Sequence, residues 1–449
     1  MSIRIQVGEL YSTVLEPRIH MGAISIIRDV CKARPAGYQF MPKYKARRWD
    51  GYSSLMRTFN AFPSGLLPMV LTALKSNGYN SIELVKPEPI ACLNTLDENI
   101  LSGITLRDYQ LEAAKHLIEN KRGVAKMATN SGKTEVMAAV IKAFGRKAVV
   151  LVHRKELMYQ TAQRFIDRGI ENVGMVGDSL FDPKDVTVAM IQTLHNRVDL
   201  SCFFGNVVLF IDECHTLSSD EAQDVYFRIP GYHRYGVSGT PLKHDTLSDM
   251  RLMAATGPVI FEITNDFLIS RGYSARPTIE ICVIEQKDDD ELDYHDAYDK
   301  FIVNNAVRNK KIADYAKAID GAVLILVSRV EHGKILESMT GGKFVSGSDT
   351  TATRQAALAK MKKGSGITIA SPIFDEGVDV PGVNAVILAG GGSSHIKLLQ
   401  RIGRGLRQKS NGNELKVLDF IDDTSAHLLK HSNDRIDTYA AEGFETVII

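Results

Sequence analysis

The segment Asn130-Ser131-Gly132-Lys133-Thr134 carries residue types suited to holding a polyphosphate. Backbone N–H groups at a helix start point at anions, and a lysine there adds a full positive charge. The Thr134 hydroxyl can ligate magnesium. Downstream, an apolar run over 207–211 ends in Asp212-Glu213. Acids at the carboxyl end of a buried strand stand where open α/β sheets bind their ligands. Asp212 there suits magnesium, directly or through water, and Glu213 suits orienting and deprotonating an attacking water. A third segment, Gln400-Arg401-Ile402-Gly403-Arg404-Gly405-Leu406-Arg407, sets Arg404 and Arg407 three residues apart, on one face if helical. Arginines so placed can stabilise charge on a transferring phosphoryl group. Gly403 and Gly405 argue against an ordinary surface helix, which two glycines would weaken. The order and wide separation of the three segments predict a triphosphate site built between two lobes.

Such a site needs strands that end at one edge of a sheet. From about residue 100, short apolar strands alternate with helical stretches, with strands expected over 147–152, 186–190, 207–211 and 235–238. A second series is expected over 322–327, 366–370, 385–388 and 416–421. Unbroken Val/Ile/Leu runs of this length suit buried parallel strands, and their alternation with helices implies doubly wound α/β lobes. Residues 1–95 read differently, as a small α+β unit. Its expected strands are 3–7, 38–41, 52–59 and 81–85, its helices 18–32 and 66–76, and Lys86-Pro87-Glu88-Pro89 follows as a linker. The expected organisation is α/β: an accessory domain at 1–95, a first lobe at 96–268 and a second at 269–449, with the change between lobes near Ser270-Arg271-Gly272.

The chain has 449 residues, 44% of them hydrophobic, enough for several cores. Net charge is +1, so any nucleic-acid surface must be local. One local cluster fits: Lys43, Lys45, Arg47 and Arg48, beside Tyr44 and Trp49. Charge plus a stacking ring suits nucleic acid, while the same tryptophan could instead fill a small core. An acidic run, Asp288 to Glu291, reads as a solvated loop. Five cysteines without a CxxC pair argue against a zinc site or disulfide framework and for a reducing, cytoplasmic setting. No apolar signal core and no run of about 18 apolar residues occurs, so a soluble protein without membrane partners is expected.

Taken together, the segments resemble motifs I, II and VI of the superfamily 2 helicases, and further motifs stand between them in order. Leu106-Arg107-Asp108-Tyr109-Gln110 resembles the adenine-reading Q motif, and 150–157 resembles motif Ia. Ile191-Gln192-Thr193 resembles motif Ib or Ic, Ser238-Gly239-Thr240 motif III, Leu326-Val327-Ser328-Arg329 motif IV, and 370–379 motif V. The phosphate loop departs from the full pattern: Met127 occupies the first glycine position, and Asn130 stands where many of these helicases have another. Asparagine can enter the left-handed region that such a turn needs. Arg47-Arg48-Trp49-Asp50-Gly51, with 62–68 after it, resembles the accessory domain of the phage UvsW-like branch-migration helicases, a group that includes a related helicase of phage T5.

The resemblance implies two tandem RecA-like lobes, ATP and Mg2+ as cofactors, and 3′-to-5′ movement on DNA with remodelling of forks and four-way junctions, the protein acting as a monomer. Gln110, with Arg107 nearby, would read the adenine. Lys133 and Thr134 would hold phosphates and magnesium, with Asp212 as the second metal residue. Asp379 would sense the ribose or the closed cleft, and Arg404 and Arg407 would be arginine fingers. Ser238 and Thr240 would couple the lobes, with His215 as partner. Arg154, Thr193, Ser328, Arg329 and Ser371 would face the DNA backbone, together with the basic cluster. Two alternatives stay open: an RNA helicase, because Asp212-Glu213-Cys214-His215 occurs in both kinds, and a nucleotide-gated DNA clamp with little hydrolysis.

Overall fold

A computed structural model describes residues 2–242, 246–286, 292–371, 383–392, 394, 398, 402 and 414–449. Residues 1–263, apart from 129–131, form one compact unit, and 264–449 with that tripeptide form a second.

In the first unit the strands Ala148–Val152 and Val208–Asp212 are buried along their whole length and pair in parallel at the centre of an eight-stranded sheet. The order runs Leu180–Asp182, Val173–Gly177, Val186–Met190, Ala148–Val152, Val208–Asp212, His233–Ser238, Arg122–Met127, Val259–Ile263. The outermost pair, Leu180–Asp182 with Val173–Gly177, is an antiparallel hairpin, and the other pairings are parallel. Parallel register fixes what meets at the carboxyl edge. Asp212 pairs with Val237, and Ser238 pairs with Lys126, so three strand ends deliver the phosphate loop, the carboxylates and Ser238 to one place.

The second unit is also built on a parallel sheet, ordered Lys343–Val345, Gly366–Ala370, Ala322–Leu326, Val383–Ile387, Glu414–Asp423, Arg276–Glu285, Glu445–Ile448. Apolar clusters pack against both of its faces, as a doubly wound sheet requires.

Near the amino terminus a four-stranded sheet, Ala61–Pro63, Tyr11–Val14, Ile3–Val7, Ile82–Val85, carries the helices Met21–Val30 and Leu67–Ser76. Its core holds Ile3, Ile5, Ile24, Ile27, Phe62, Leu66 and Val70, and it does not close on itself. Leu247, Met250 and Ala254, from helix Thr246–Thr256, complete it. At Gly65 any Cβ would collide with the carbonyls of Met253 and Ala254. Tyr11 stacks on Phe227, and Tyr232 Oη donates to Glu88 O at 2.5 Å.

Of the expected strands of this region, one is absent and one is much shorter. Residues 38–41 instead form a 3-10 turn, Tyr38–Phe40, entered through left-handed Gly37, and then helix Pro42–Lys45 with Pro42 at its first position. The strand expected over 52–59 shrinks to Ser53–Ser54, paired with Lys32–Ala33. For the first, the physical reason is exposure: residues 36–50 include no buried residue, so their aromatic side chains mark a surface, not one face of a sheet. Among the described residues no helix is long and apolar enough to cross a membrane.

Candidate active site

The phosphate-loop segment follows strand Arg122–Met127 and leads into helix Lys133–Phe144. Met127 is fully buried as the last strand residue, so the position of the missing first glycine is taken up by the strand. Asn130 (φ 68°) and Gly132 (φ 80°) are both left-handed. Asn130 therefore supplies the conformation that glycine usually gives, at little cost for asparagine because its short amide hydrogen-bonds locally. A Cβ at Gly132 would also push aside the Gln110 amide, meeting its Nε2. Gln110 is buried, and its Oε1 accepts from the Arg107 N–H at 3.0 Å, capping helix Asp108–Glu119. Arg107 Nη1 donates to Tyr109 Oη at 3.0 Å.

Glu213 follows the buried strand Val208–Asp212 and is itself left-handed (φ 49°), a strained setting for a residue with a Cβ and one that aims its side chain. Lys133 Nζ donates to Glu213 Oε1 at 3.2 Å. The other carboxylate oxygen, Oε2, accepts from Ser238 Oγ at 3.1 Å and lies 3.4 Å from His215 Nδ1. His215 Nδ1 is also 3.2 Å from Ser238 Oγ, which accepts from the Thr240 N–H at 3.2 Å. The expected base, the phosphate lysine and the three expected coupling residues thus form one hydrogen-bonded group.

Electrostatics divide the two acids. Burial, followed by the neighbouring Glu213 charge, pushes Asp212 up to about 6. Burial would also raise Glu213, but Lys133 and then His215 hold it well below the ordinary carboxylate range. Burial would lower Lys133, and the Glu213 and Asp212 charges outweigh that and raise it. A buried carboxylate whose ionisation is opposed first by burial and then by a neighbouring acid suits a hard divalent cation, which takes oxygen ligands and offsets both. Of the sequence-predicted residues, Asp212 and, at the first helical turn, Thr134 could hold such a cation.

The expected nucleic-acid residues are more scattered. Arg154 precedes helix Lys155–Asp167 as its N-cap residue, and Thr193 lies in helix Ile191–His195. In the second unit Ser328 and Arg329 are exposed after strand Ala322–Leu326, with Arg329 3.8 Å from Asp299. Ser371 is buried, its N–H donating to Val345 O at 3.1 Å. Lys43, Lys45, Arg47 and Arg48 are exposed, and the last three, with Gln39, Tyr44, Trp49 and Asp50, line a cavity of about 660 Å³. Trp49 is half-buried there, its Nε1 donating to Tyr52 O at 2.6 Å, and it does not fill the domain's core. Phe40, which carries no sequence signal of its own, is 70% exposed on the same segment, with Lys45 over its ring. Asp379, Arg404 and Arg407 lie outside the described residues.

Comparison with known proteins fits this layout. Residues 103–243 match the family described as "Type III restriction enzyme, res subunit", and 307–409 match "Helicase conserved C-terminal domain". The chain is 25% identical to the ATP-dependent DNA helicase uvsW of Enterobacteria phage T4 over 94% of both chains. It is also 25% identical to the DNA 3′-5′ translocase XPB2 of Sulfurisphaera tokodaii, covering 68% of this chain and 79% of that protein. Among solved structures, the restriction-modification enzyme LlaBIII bound to DNA superposes with a TM-score of 0.59 at 15% identity, over 77% of this chain and 31% of that one. Dbp5 of S. cerevisiae bound to RNA and ADP BeF3 superposes with a TM-score of 0.55 at 16% identity, over 77% and 90%. At these identities the shared property is the fold, which occurs with either nucleic acid.

Proposed function

Because the chain belongs to the superfamily 2 helicases, we propose that it is an ATP-dependent DNA helicase or translocase that moves 3′-to-5′ and remodels forked and four-way DNA. The observation that carries this is the grouping of Lys133, Glu213, His215, Ser238 and Thr240 at one sheet edge. Lys133 is the positive charge for the β/γ-phosphates, and the left-handed Asn130 and Gly132 shape the backbone that cradles them. Glu213, held ionised, accepts the proton of the attacking water. Ser238, bonded to both Glu213 and His215, registers the protonation of that carboxylate and passes it to the Thr240 turn. Magnesium, when bound between Thr134 and Asp212, would neutralise charge on the phosphate oxygens. Gln110 with Arg107 contacts the adenine. Asp379, Arg404 and Arg407, which lie outside the described residues, are the remaining side chains in this reading that contact the nucleotide.

DNA, single-stranded or branched, is gripped through its backbone by Arg154, Thr193, Ser328, Arg329 and Ser371, and beside the motor by Lys43, Lys45, Arg47 and Arg48. Hydroxyls, helix starts and basic side chains suit phosphate oxygens without reading sequence. The choice of DNA over RNA is supported by the uvsW and XPB2 relatives, both named for DNA.

Phosphate release, measured alone and with tailed, forked and four-way DNA or with RNA, tests the reading. DNA should stimulate turnover, branched forms most, and Lys133→Ala should abolish it. No stimulation by DNA in the unaltered protein would refute it, and stronger stimulation by RNA would favour the RNA alternative. Replacing Lys43, Lys45, Arg47 and Arg48 together by alanine should weaken DNA binding and flatten its logarithmic salt dependence by about 0.7–0.9 for each phosphate no longer neutralised. Unchanged binding would return that cluster to a merely solvated surface.

A further inference from the structure

Residues 36–50 of the amino-terminal domain include no buried residue, so no core holds them in place. Arg34 holds them instead. Its guanidinium lies 4.5 Å from the centre of the Tyr38 ring and 4.4 Å from that of Tyr52. Its Nη1 donates to Tyr38 Oη at 2.9 Å, and its Nη2 donates to Asp50 O at 3.5 Å. One cation over two rings thus joins both ends of the segment. Tyr44 packs edge-on against Tyr38, with ring centres 4.9 Å apart. Trp49 Nε1 donates to Tyr52 O at 2.6 Å, and Asp50 Oδ1 accepts from the Tyr52 N–H at 3.0 Å.

The cavity that this segment lines measures about 660 Å³, within the roughly 300–1,000 Å³ of ligand sites. Its walls combine two aromatic rings, Tyr44 and Trp49, with three cations, Lys45, Arg47 and Arg48. Arg47 is left-handed (φ 54°) just past helix Pro42–Lys45, and the Arg48 N–H donates to Lys43 O at 2.9 Å. Glycine is the usual residue at such a helix end, so the chain accepts backbone strain and keeps an arginine there. Asp50, an acid on the same wall, is engaged by the Tyr52 N–H, and the Trp49 N–H is likewise engaged within the loop. Ring surface and positive charge therefore dominate what the cavity offers.

We propose that this cavity takes the base of an unpaired nucleotide, stacked against the Tyr44 and Trp49 rings, with the neighbouring phosphates on Lys45, Arg47 and Arg48. Bases inside a duplex are stacked on both faces and paired along their edges, so entry from a duplex requires extrusion, and an unpaired base has less to lose. The cavity thereby favours single-stranded arms over continuous duplex. Stacking is indifferent to base identity, since every base has a π-face. Phe40, 70% exposed on the same segment with Lys45 over its ring, suits an adjacent base in the same way. The inference rests on the reading that the basic cluster meets DNA, and the test separates the two.

Trp49 is the chain's only tryptophan, so tryptophan fluorescence reports on this cavity alone. The full-length protein is saturated, as judged by the anisotropy of end-labelled DNA, with a single-stranded oligonucleotide, with an abasic strand of the same length, or with blunt duplex. The base-bearing strand should quench Trp49, and the other two should not. Tyr44→Leu, which keeps apolar bulk and removes a ring, should weaken binding of the base-bearing strand roughly 5–150-fold, the worth of one base–aromatic stack. Its blunt-duplex affinity and logarithmic salt slope should stay unchanged, because no phosphate contact is lost. Unaltered Trp49 emission with every saturating DNA would overturn the placing of the cluster on DNA and the inference with it. Equal quenching by the abasic strand or by duplex would leave the cluster on DNA and overturn the base site alone. A silent Tyr44→Leu, or a loss shared equally by duplex, would do the same.

Discussion

The strands Val208–Asp212 and Glu414–Asp423 both run through the interior of a parallel sheet, and both end among carboxylates. Their partners differ in kind. Asp422 faces both Nε and Nη2 of Arg308, at 2.8 and 3.5 Å, and Asp419 accepts from Arg435 and, at 2.5 Å, from Tyr439 Oη. Those acids are tied to planar, permanently charged groups that are themselves engaged on carbonyl oxygens. Glu213 meets a lysine, a serine and a histidine. Lysine is a single charge on a flexible stem, free to exchange one anion for another, and a histidine or a hydroxyl can take either hydrogen-bonding role. The partner, more than the acid, decides whether a carboxylate is free to exchange partners or is locked in one geometry.

The largest effect should come from Glu213→Gln. Removing a general base should lower turnover by about 10²–10⁴-fold while ATP still binds. A loss below tenfold would place Glu213 with the structural acids. Next, Asp422→Asn leaves Arg308 buried without its ion partner and should cost about 3–5 kcal/mol of stability, read from denaturant unfolding. Unchanged stability would dissolve the distinction from the other side.

A smaller effect follows from Asp212. Its folded pKa is raised to about 6, so the fold favours the protonated form. In metal-free protein that contribution is fully present below the ordinary aspartate range and is lost as pH rises through about 6, a decline of about 1–3 kcal/mol. Glu213 is shifted the opposite way, so its contribution is lost only on acidification below the ordinary glutamate range. Thermal midpoints between pH 4 and 7 should therefore fall in a way that Asp212→Asn removes. Magnesium requires the ionised form, so its half-saturating concentration should climb as pH drops below 6. A flat profile would mean that neither burial nor the neighbouring Glu213 raises Asp212 in the folded protein.

Sequence alone could find Glu213 because an unbroken apolar run leads to it and a Gly-Lys-Thr segment precedes it. It could not find Arg308 or Arg435. An arginine in a helix looks solvated until its acid, 114 residues away in one case and 16 in the other, folds against it. The strands Val259–Ile263 and Arg276–Glu285 escaped for a related reason. Their apolar runs, Val259-Ile260-Phe261 and Ile281-Cys282-Val283-Ile284, are short and end at charged residues, so they stand out less than the longer unbroken runs. Asn130 was legible as a residue able to turn left-handed, but that it does so is a property of the assembled loop. Trp49 could not be placed from composition, because a lone tryptophan fits a core and a surface equally well.

The shared core near the amino terminus has a consequence for synthesis. Leu84 lies in the last strand of that small sheet, but the helix holding Leu247, Met250 and Ala254 is made only later. At about 5–20 residues per second, the roughly 160 intervening residues take about 8–30 s to emerge from a ribosome. During that interval Phe62, Leu66 and Val70 lack part of their cover. That small domain leaves the ribosome before the helix that seals it, the one that follows the Ser238-Gly239-Thr240 turn.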